Sequence, residues 1–305
     1  MLLTAGLGTR LRPLTEQRPK PIVPLGNRPL ACFALDQLAN LRVRSVVANT
    51  HPMHDLVERV LREACPRSLK LSFSRESELL GTGGGLRRAW PLFEDPDADV
   101  IVMNGDTLFA PDLQRAQRLH EAHGAVATMI LRPTKDPERF GAIGIDADGF
   151  VRSLLGSPAR PGLRSLMFTG VHILSPRARD SLPEQGCVIR HAYRQWVDRA
   201  APVLGLVDES PWADLGTIAE YYKANMDLAS GSRSWPGVVP QDGSLVAADV
   251  TLQAGAQIEQ SVIGEGAVLG AGVRVERCVV WPETVVRESV CDAIVTPEHH
   301  IRLDP

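Results

Sequence analysis

Between residues 246 and 286 the aliphatic side chains return at a nearly fixed interval. They fall at Val246, Leu252, Ile258, Ile263, Leu269, Val275, Val280 and Val286, with spacings of 6, 6, 5, 6, 6, 5 and 6. A strand in an ordinary sheet returns to its buried face every second residue and a helix every third or fourth, so neither produces this spacing. An interval near six belongs to a β-helix solenoid, in which each short strand turns one aliphatic inward and stacks it on the next coil. Hairpin turn signals are missing from the run, which argues against ordinary valine-rich strands.

Upstream the pattern changes. Residues 1 to about 230 alternate short apolar runs with amphipathic stretches, as an α/β domain with a mostly parallel sheet should. Residues 1–4 read as a clipped first strand, 29–41 as a helix opening on proline, 44–48 as the next strand and 54–63 as helix again. Residues 98–103 form a nearly continuous apolar run ending at Asn104-Gly105-Asp106, a buried strand that delivers a turn. Asp106 thus stands at a carboxyl end, where open α/β sheets bind their ligands. A Ser-, Gly- and Pro-rich stretch without periodicity separates the two regions. The expected division is 1–232 for the α/β domain, 233–245 for a linker and 246–305 for the hexapeptide-repeat solenoid and C-terminal tail.

The formal net charge of -3 provides no basic face for nucleic acid or an anionic membrane, which leaves a small-molecule partner. Cys32, Cys65, Cys187, Cys278 and Cys291 are scattered, odd in number and never in CxxC spacing. That pattern suggests neither a disulfide framework nor a zinc site, and a reducing cytoplasm is expected. No stretch approaches the roughly 18 apolar residues of a membrane span, and the N-terminus lacks a basic, then apolar, leader pattern.

The loop after the first strand is the chain's most unusual segment. Gly6 and Gly8 let backbone amides turn toward an anion, as phosphate-binding loops require. Arg10 follows with planar donors for phosphate oxygens, and Lys20 offers a compact charge between Pro19 and Pro21. With Arg12, Arg18 and Arg28 set against Glu16 alone, the segment is a local basic patch on an acidic protein. Leu11 occupies the third glycine position of a dinucleotide loop, and the GxxxxGK[ST] order of a Walker loop is absent. A purely structural turn leaves the arginine, lysine and proline pattern unexplained.

Residues 6–15 and 18–30, GLGTRLRPLT and RPKPIVPLGNRPL, resemble the signature of the sugar-1-phosphate nucleotidyltransferase family. Its members include guanylyl-, uridylyl- and thymidylyltransferases. The resemblance extends over residues 1 to about 230. It implies a Rossmann-like α/β catalytic domain, and a C-terminal left-handed β-helix is a common appendage in the family. By that likeness Arg10 stabilises the triphosphate during transfer and Lys20 grips phosphate. The backbone around Leu3, Ala5 and Gly6 would lie against base and ribose, with Gly8 and Thr9 completing the nucleotide-binding loop.

Bringing a sugar phosphate dianion to a triphosphate sets like charges about 4 Å apart, a repulsion of about 4 kcal/mol in a partly solvated site. A divalent cation answers it. Magnesium takes few protein carboxylates and leaves its other positions to phosphates and water. Asp106 and Asp214 resemble the family's metal positions, although either alone could merely cap a turn or helix.

Residues 75–86 place a glycine cluster at the start of a helix, where a flat base can lie against bare backbone. Glu76, Gly81 and Thr82 resemble the family's base-binding loop. Guanine shows two donors on one edge that a single carboxylate can accept, whereas uracil shows one. The Glu-Ser-Glu-Leu-Leu-Gly-Thr order is most similar to the guanylyl members, while Gly83-Gly84-Gly85 is closer to the uridylyl enzymes of muramic acid recycling. Guanine is the preferred reading. Residues 140–146 and 168–171, with Gly141, Thr169 and Gly170, resemble the strands lining the hexose site. Where many relatives carry a Glu-Lys pair before proline, this chain has Gly156-Ser157-Pro158.

The resulting expectation is a magnesium-dependent enzyme joining GTP to a sugar 1-phosphate, mannose 1-phosphate foremost, and assembling as a homo-oligomer, with the β-helix as the candidate interface. Two alternatives stay open: a uridylyltransferase for glucose 1-phosphate or N-acetylmuramate 1-phosphate, and a non-catalytic regulator that binds a nucleotide-sugar. A solenoid acyltransferase would need a longer β-helix and a catalytic histidine within it.

Overall fold

A computed structural model describes residues 1–41, 43–136 and 141–303. The chain gathers into two compact units that do not follow chain order, one of Met1–Leu7 with Ala31–Trp212, the other of Gly8–Leu30 with Ala213–Pro305.

The first unit is an α/β layer structure. Its early strands are β1 (Leu2–Leu3), β2 (Ser45–Thr50), β3 (Lys70–Arg75) and β4 (Val100–Asn104), with helices α1 (Cys32–Asn40), α2 (His54–Ala64) and α3 (Gly81–Ala89) between them. A helix between two strands carries the chain back to its starting edge, and β1 accordingly pairs in parallel with β2 and β4, and β2 with β3. After α4 (Leu113–Ala122) come β5 (Ala127–Arg132), β6 (Ile143–Ile145), β7 (Val151–Leu154), β8 (Arg164–Leu174) and β9 (Val203–Val207).

The sheet is mixed, which corrects the expectation of a mostly parallel one. No helix separates β6, β7 and β8 among the described residues; β6 lies between the other two and runs antiparallel to both. β8 runs antiparallel to β4, β5 and β6, and its pairing with β5 shifts between Phe168 and His172. Its two halves therefore serve different neighbours. The resulting order is β7-β6-β8-β4-β1-β2-β3, with β5 beside β8 and β9 parallel to β5. Leu86, Ala89, Trp90, Val100 and Val102 share one buried core with Met129, Leu131, Tyr193 and Trp196.

In the second unit, helix α5 (Ile218–Ala229) buries Tyr221, Ala224, Asn225 and Leu228, the three-and-four spacing of a helical stripe. These residues tie the segment before Leu30 to the C-terminal strands. Gly26 N–H donates to Asn225 Oδ1 at 2.9 Å, the Tyr221 hydroxyl donates to the Pro24 carbonyl, and Trp281 Nε1 donates to the Tyr221 hydroxyl at 2.9 Å. Asn27 Nδ2 reaches the carbonyls of Leu245 and Ile263.

The C-terminal strands form two sheets whose pairs are parallel except the last, in which His300–Arg302 runs antiparallel to Val290–Val295. Val246 pairs with Ile263 and Ile263 with Val280, while Leu252 pairs with Leu269 and Leu269 with Val286, each step 17 residues long. That step is the sum of one 6, 6, 5 cycle of the sequence. Ile263, Leu269, Val275, Val280 and Val286 are buried together. Val246 and Leu252, also expected to face inward, are 45% and 52% exposed. They belong to the first turn of the array, which has a neighbour on one side only.

Candidate active site

The signature loop builds its own charged cluster in the second unit. Gly8 has φ +58, and a Cβ there would meet Thr15 Cγ2 at 2.9 Å and Lys20 Cβ at 3.1 Å. A side chain is thus excluded by both conformation and space. Thr15 Oγ1 donates to the Gly8 carbonyl at 3.0 Å, closing the loop over the short helical turn Thr9–Leu11. This holds Lys20 inside at 5% exposure while leaving the Arg10 side chain 62% exposed.

Both cations converge on Asp214. Arg10 Nη2 stands 3.1 Å from Asp214 Oδ2; Lys20 Nζ donates to the Asp214 main-chain carbonyl at 2.8 Å and stands 3.7 Å from Oδ1. The last distance is that of an ion pair rather than a hydrogen bond. Gly216 makes room for the pair, because a Cβ there would lie 2.7 Å from Asp214 Oδ2 and 2.8 Å from Arg10 Cζ. Asp214 does not cap α5. Thr217 does, in a capping box with Glu220 whose carboxylate also accepts from Gly216 N–H at 3.1 Å. The carboxylate of Asp214 is thereby left for electrostatic work.

In the first unit the candidate residues gather at the carboxyl ends of β1, β2, β3 and β4. Gly105 N–H donates to the Leu3 carbonyl at 2.8 Å, which brings the Asn104-Gly105-Asp106 turn against the end of β1 and leaves Asp106 half-buried. Gly6 N–H donates to the His51 carbonyl at 3.3 Å, and open space lies where a Cβ on Gly6 would point. Ala5 is half-buried beside it. Thr4 N–H donates to Asn49 Oδ1 at 2.9 Å, and Asn49 Nδ2 donates to Glu76 Oε1 at 2.7 Å.

Glu76 is turned inward. It is 1% exposed, and its second oxygen accepts from Leu80 N–H at 3.1 Å while its carbonyl bonds to His51 Nδ1 at 3.0 Å. Both carboxylate oxygens are therefore engaged by protein, which sets the side chain behind the loop rather than toward a base. The glycine cluster also differs from the expected bare surface. Cβ atoms on Gly81, Gly83 and Gly84 would strike Gly186, Pro183 and Glu184, and one on Gly85 would lie 2.7 Å from Glu76 Oε1. Protein fills the faces these glycines leave open. Thr82 Oγ1 accepts from Val188 N–H at 2.9 Å in the same contact.

Of the candidate hexose residues, Thr169 is buried with its hydroxyl on the Ile130 carbonyl, and Gly170 admits the Asn104 side chain, which a Cβ would meet at 2.3 Å. Gly141 abuts Leu155, and Phe140 lies outside the described residues. At the Gly156-Ser157-Pro158 turn, Arg194 donates to the carbonyls of Ser157 and Leu154 at 2.7 and 2.9 Å. Nearby, burial pushes the His172 imidazole down to about 3, so it is neutral against the Tyr193 hydroxyl at 2.7 Å. Asn49 and Gly216 were not singled out from the sequence. Asn49 could have been found from its place at the carboxyl end of β2; Gly216 shows its purpose only once Arg10 and Asp214 meet.

A family model described as nucleotidyl transferase matches residues 1–231. The chain belongs to the nucleotidyl transferase family. The mannose-1-phosphate guanylyltransferase of Mycobacterium tuberculosis is 27% identical over 291 residues, covering 92% of this chain and 79% of that protein. A UTP--glucose-1-phosphate uridylyltransferase of Synechocystis is 27% identical over 73% of this chain and 61% of its own length. The crystal structure of HddC from Yersinia pseudotuberculosis complexed with GMP-PN superposes with a TM-score of 0.59 at 25% identity, covering 73% of this chain and 96% of that one. A nucleotidyltransferase of this kind needs no side-chain nucleophile, since a phosphate oxygen of the acceptor is already an anion. Its residues align the reactants and stabilise charge. Among the described residues no helix is long and apolar enough to cross a membrane.

Proposed function

We propose that the chain joins GTP to mannose 1-phosphate, forming GDP-mannose and pyrophosphate. A phosphate oxygen of the sugar attacks the α-phosphorus of the nucleotide, the α–β phosphoanhydride bond breaks, and pyrophosphate leaves. Arg10 stabilises charge on the transferring phosphate, Lys20 holds phosphate from its buried position, and the backbone of Leu3, Ala5, Gly6, Gly8 and Thr9 receives the nucleotide. Thr169, Gly170 and Gly141 belong to the sugar side, where Arg194 supplies a cation at the turn that lacks the Glu-Lys pair. The observation that supports the catalytic reading is the convergence of Arg10 and Lys20 on Asp214.

Asp106 and Asp214 are each proposed as magnesium ligands. Among the described residues no group of three or more His, Cys, Asp or Glu side chains could hold a metal. A lone carboxylate suits magnesium, which draws most of its ligands from phosphates and water. When bound, the ion neutralises the phosphates' mutual repulsion. Glu76 is proposed to fix Asn49 and the turn at Leu80, and thereby the Thr4–Gly6 backbone. The parallel strands of the two C-terminal sheets are proposed to close into a left-handed β-helix, and the exposed Val246, Leu252 and Val285 fit contact with a second copy. Five free cysteines fit a reducing cytoplasm.

The Synechocystis relative supports a second reading as a uridylyltransferase. Pyrophosphate release, measured with five nucleoside triphosphates against mannose, glucose and N-acetylmuramate 1-phosphates, separates the two. The guanylyl reading predicts fastest release with GTP and mannose 1-phosphate; faster release with UTP would replace it.

A further inference from the structure

Lys20 and Asp214 lie 194 residues apart in sequence, and the ammonium donates to the Asp214 carbonyl at 2.8 Å. Such a bond spans only a narrow range of distances, so the two backbones must keep a fixed separation. The local structure on the Lys20 side is slight. It is a single helical turn, Lys20–Ile22, closed by Val23 N–H on the Lys20 carbonyl at 3.2 Å. The fixing contacts come from behind the cluster. Tyr221 sits one turn into α5, the helix that follows Asp214, with its main-chain N–H on the Thr217 carbonyl at 2.9 Å. Its buried hydroxyl donates to the Pro24 carbonyl, just beyond Lys20. One side chain thus fastens the segment carrying Asp214 to the segment carrying Lys20.

A phenol carries one hydrogen and can turn it in more than one direction. Trp281 settles that direction. Its indole N–H can only donate, and it donates to the Tyr221 oxygen at 2.9 Å, which leaves the phenol hydrogen for Pro24. Trp281 is itself buried in the C-terminal array, its main-chain N–H on the Val295 carbonyl at 2.8 Å. The Arg18 guanidinium lies over the indole, 5.8 Å from the ring centroid, and Gln17 Nε2 donates to Thr296 Oγ1 at 3.0 Å. The chain is therefore held before Lys20 at Gln17 and Arg18, and after it at Pro24. We propose that Tyr221 and Trp281 are positioning residues, which through Pro24 and Arg18 set where the Lys20 ammonium stands against Asp214. The C-terminal strands thereby become a working part of the phosphate site. The proposal rests on the role assigned to Lys20, and every residue in it belongs to the second unit.

Trace acetylation with acetic anhydride, mapped by peptide mass spectrometry on the full chain well below its melting temperature, reads the setting of Lys20 without any turnover. The exposed Lys70 of the first unit serves as the reference. Tyr221→Phe loses the bond to Pro24 and should speed labelling of Lys20 about tenfold relative to Lys70, as the loss of one buried hydrogen bond loosens the segment. Trp281→Phe keeps a ring beneath Arg18 and should move labelling the same way by about threefold. In pyrophosphate release both variants should lower kcat and raise KM for GTP together, the pattern expected of Lys20→Ala and not of Arg10→Ala. Combined, they should cost no more than Tyr221→Phe alone, because one residue acts through the other. Labelling of Lys20 at the wild-type rate in Tyr221→Phe would overturn the proposal even where turnover had fallen, and so would losses that multiply in the double variant. A wild type that transfers no nucleotide would instead remove the reaction assigned to the protein, and the labelling would decide the positioning by itself.

Discussion

Replacing Glu76 by glutamine changes one oxygen to a donor nitrogen with little change of shape. In the native protein both oxygens accept, from Asn49 Nδ2 at 2.7 Å and from Leu80 N–H at 3.1 Å. A glutamine can satisfy one of these donors and must turn its own N–H toward the other. Asn49 cannot relieve the clash by flipping its amide, because its Oδ1 already accepts from Thr4 N–H at 2.9 Å. One buried donor is left unpaired, at a cost of about 1–3 kcal/mol. At ~2–4 °C per kcal/mol for a chain of this order of size, the melting temperature should fall by about 2–12 °C. Because the lost bond orients the wall and touches no base, kcat/KM for GTP and UTP should fall by the same factor. Circular dichroism melting and pyrophosphate release with both nucleotides test the two halves. An unchanged melting temperature with a selective loss of GTP activity of about 30-fold or more would show that the carboxylate faces guanine, and the argument from its burial would fail.

Five further variants probe the charged cluster. Asp214→Asn and Asp214→Ala both keep the main-chain bond from Lys20, and each should lower magnesium-dependent turnover by about 100-fold or more, with Asp214→Ala, which leaves Arg10 no side-chain acceptor at this position, the less stable of the two in urea unfolding. Arg10→Ala should lower kcat far more than it raises the triphosphate KM, while Lys20→Ala should damage both; steady-state kinetics with varied GTP distinguishes them. Gly216→Ala pushes a methyl between Arg10 and Asp214 and should slow turnover by about tenfold through misalignment, with KM for GTP changed much less.

What could be read before the fold was known followed physical range. The 6, 6, 5 spacing of aliphatics became a 17-residue register because stacking of adjacent coils needs only local periodicity. Asn104-Gly105-Asp106 was legible as a strand end because an apolar run and a turn are both local. The antiparallel course of β8 was not, since it depends on which neighbours accept an 11-residue strand. Nor was the direction of the Glu76 carboxylate, which is decided by Asn49 from the neighbouring strand. The same holds for Gly83 and Gly84, whose open faces are filled by Pro183 and Glu184, about a hundred residues on. A motif marks where close approach occurs and leaves open what approaches.

The central claim is nucleotidyl transfer, and the fate of the α-phosphate tests it most directly. With GTP labelled at the α-phosphate, mannose 1-phosphate and magnesium, the label should move into GDP-mannose with one pyrophosphate released per product, and chelation of the metal should stop the transfer. Tight binding of GDP-mannose with no movement of label, for any nucleotide and sugar 1-phosphate tried, would contradict the account and leave a nucleotide-sugar-binding protein in its place.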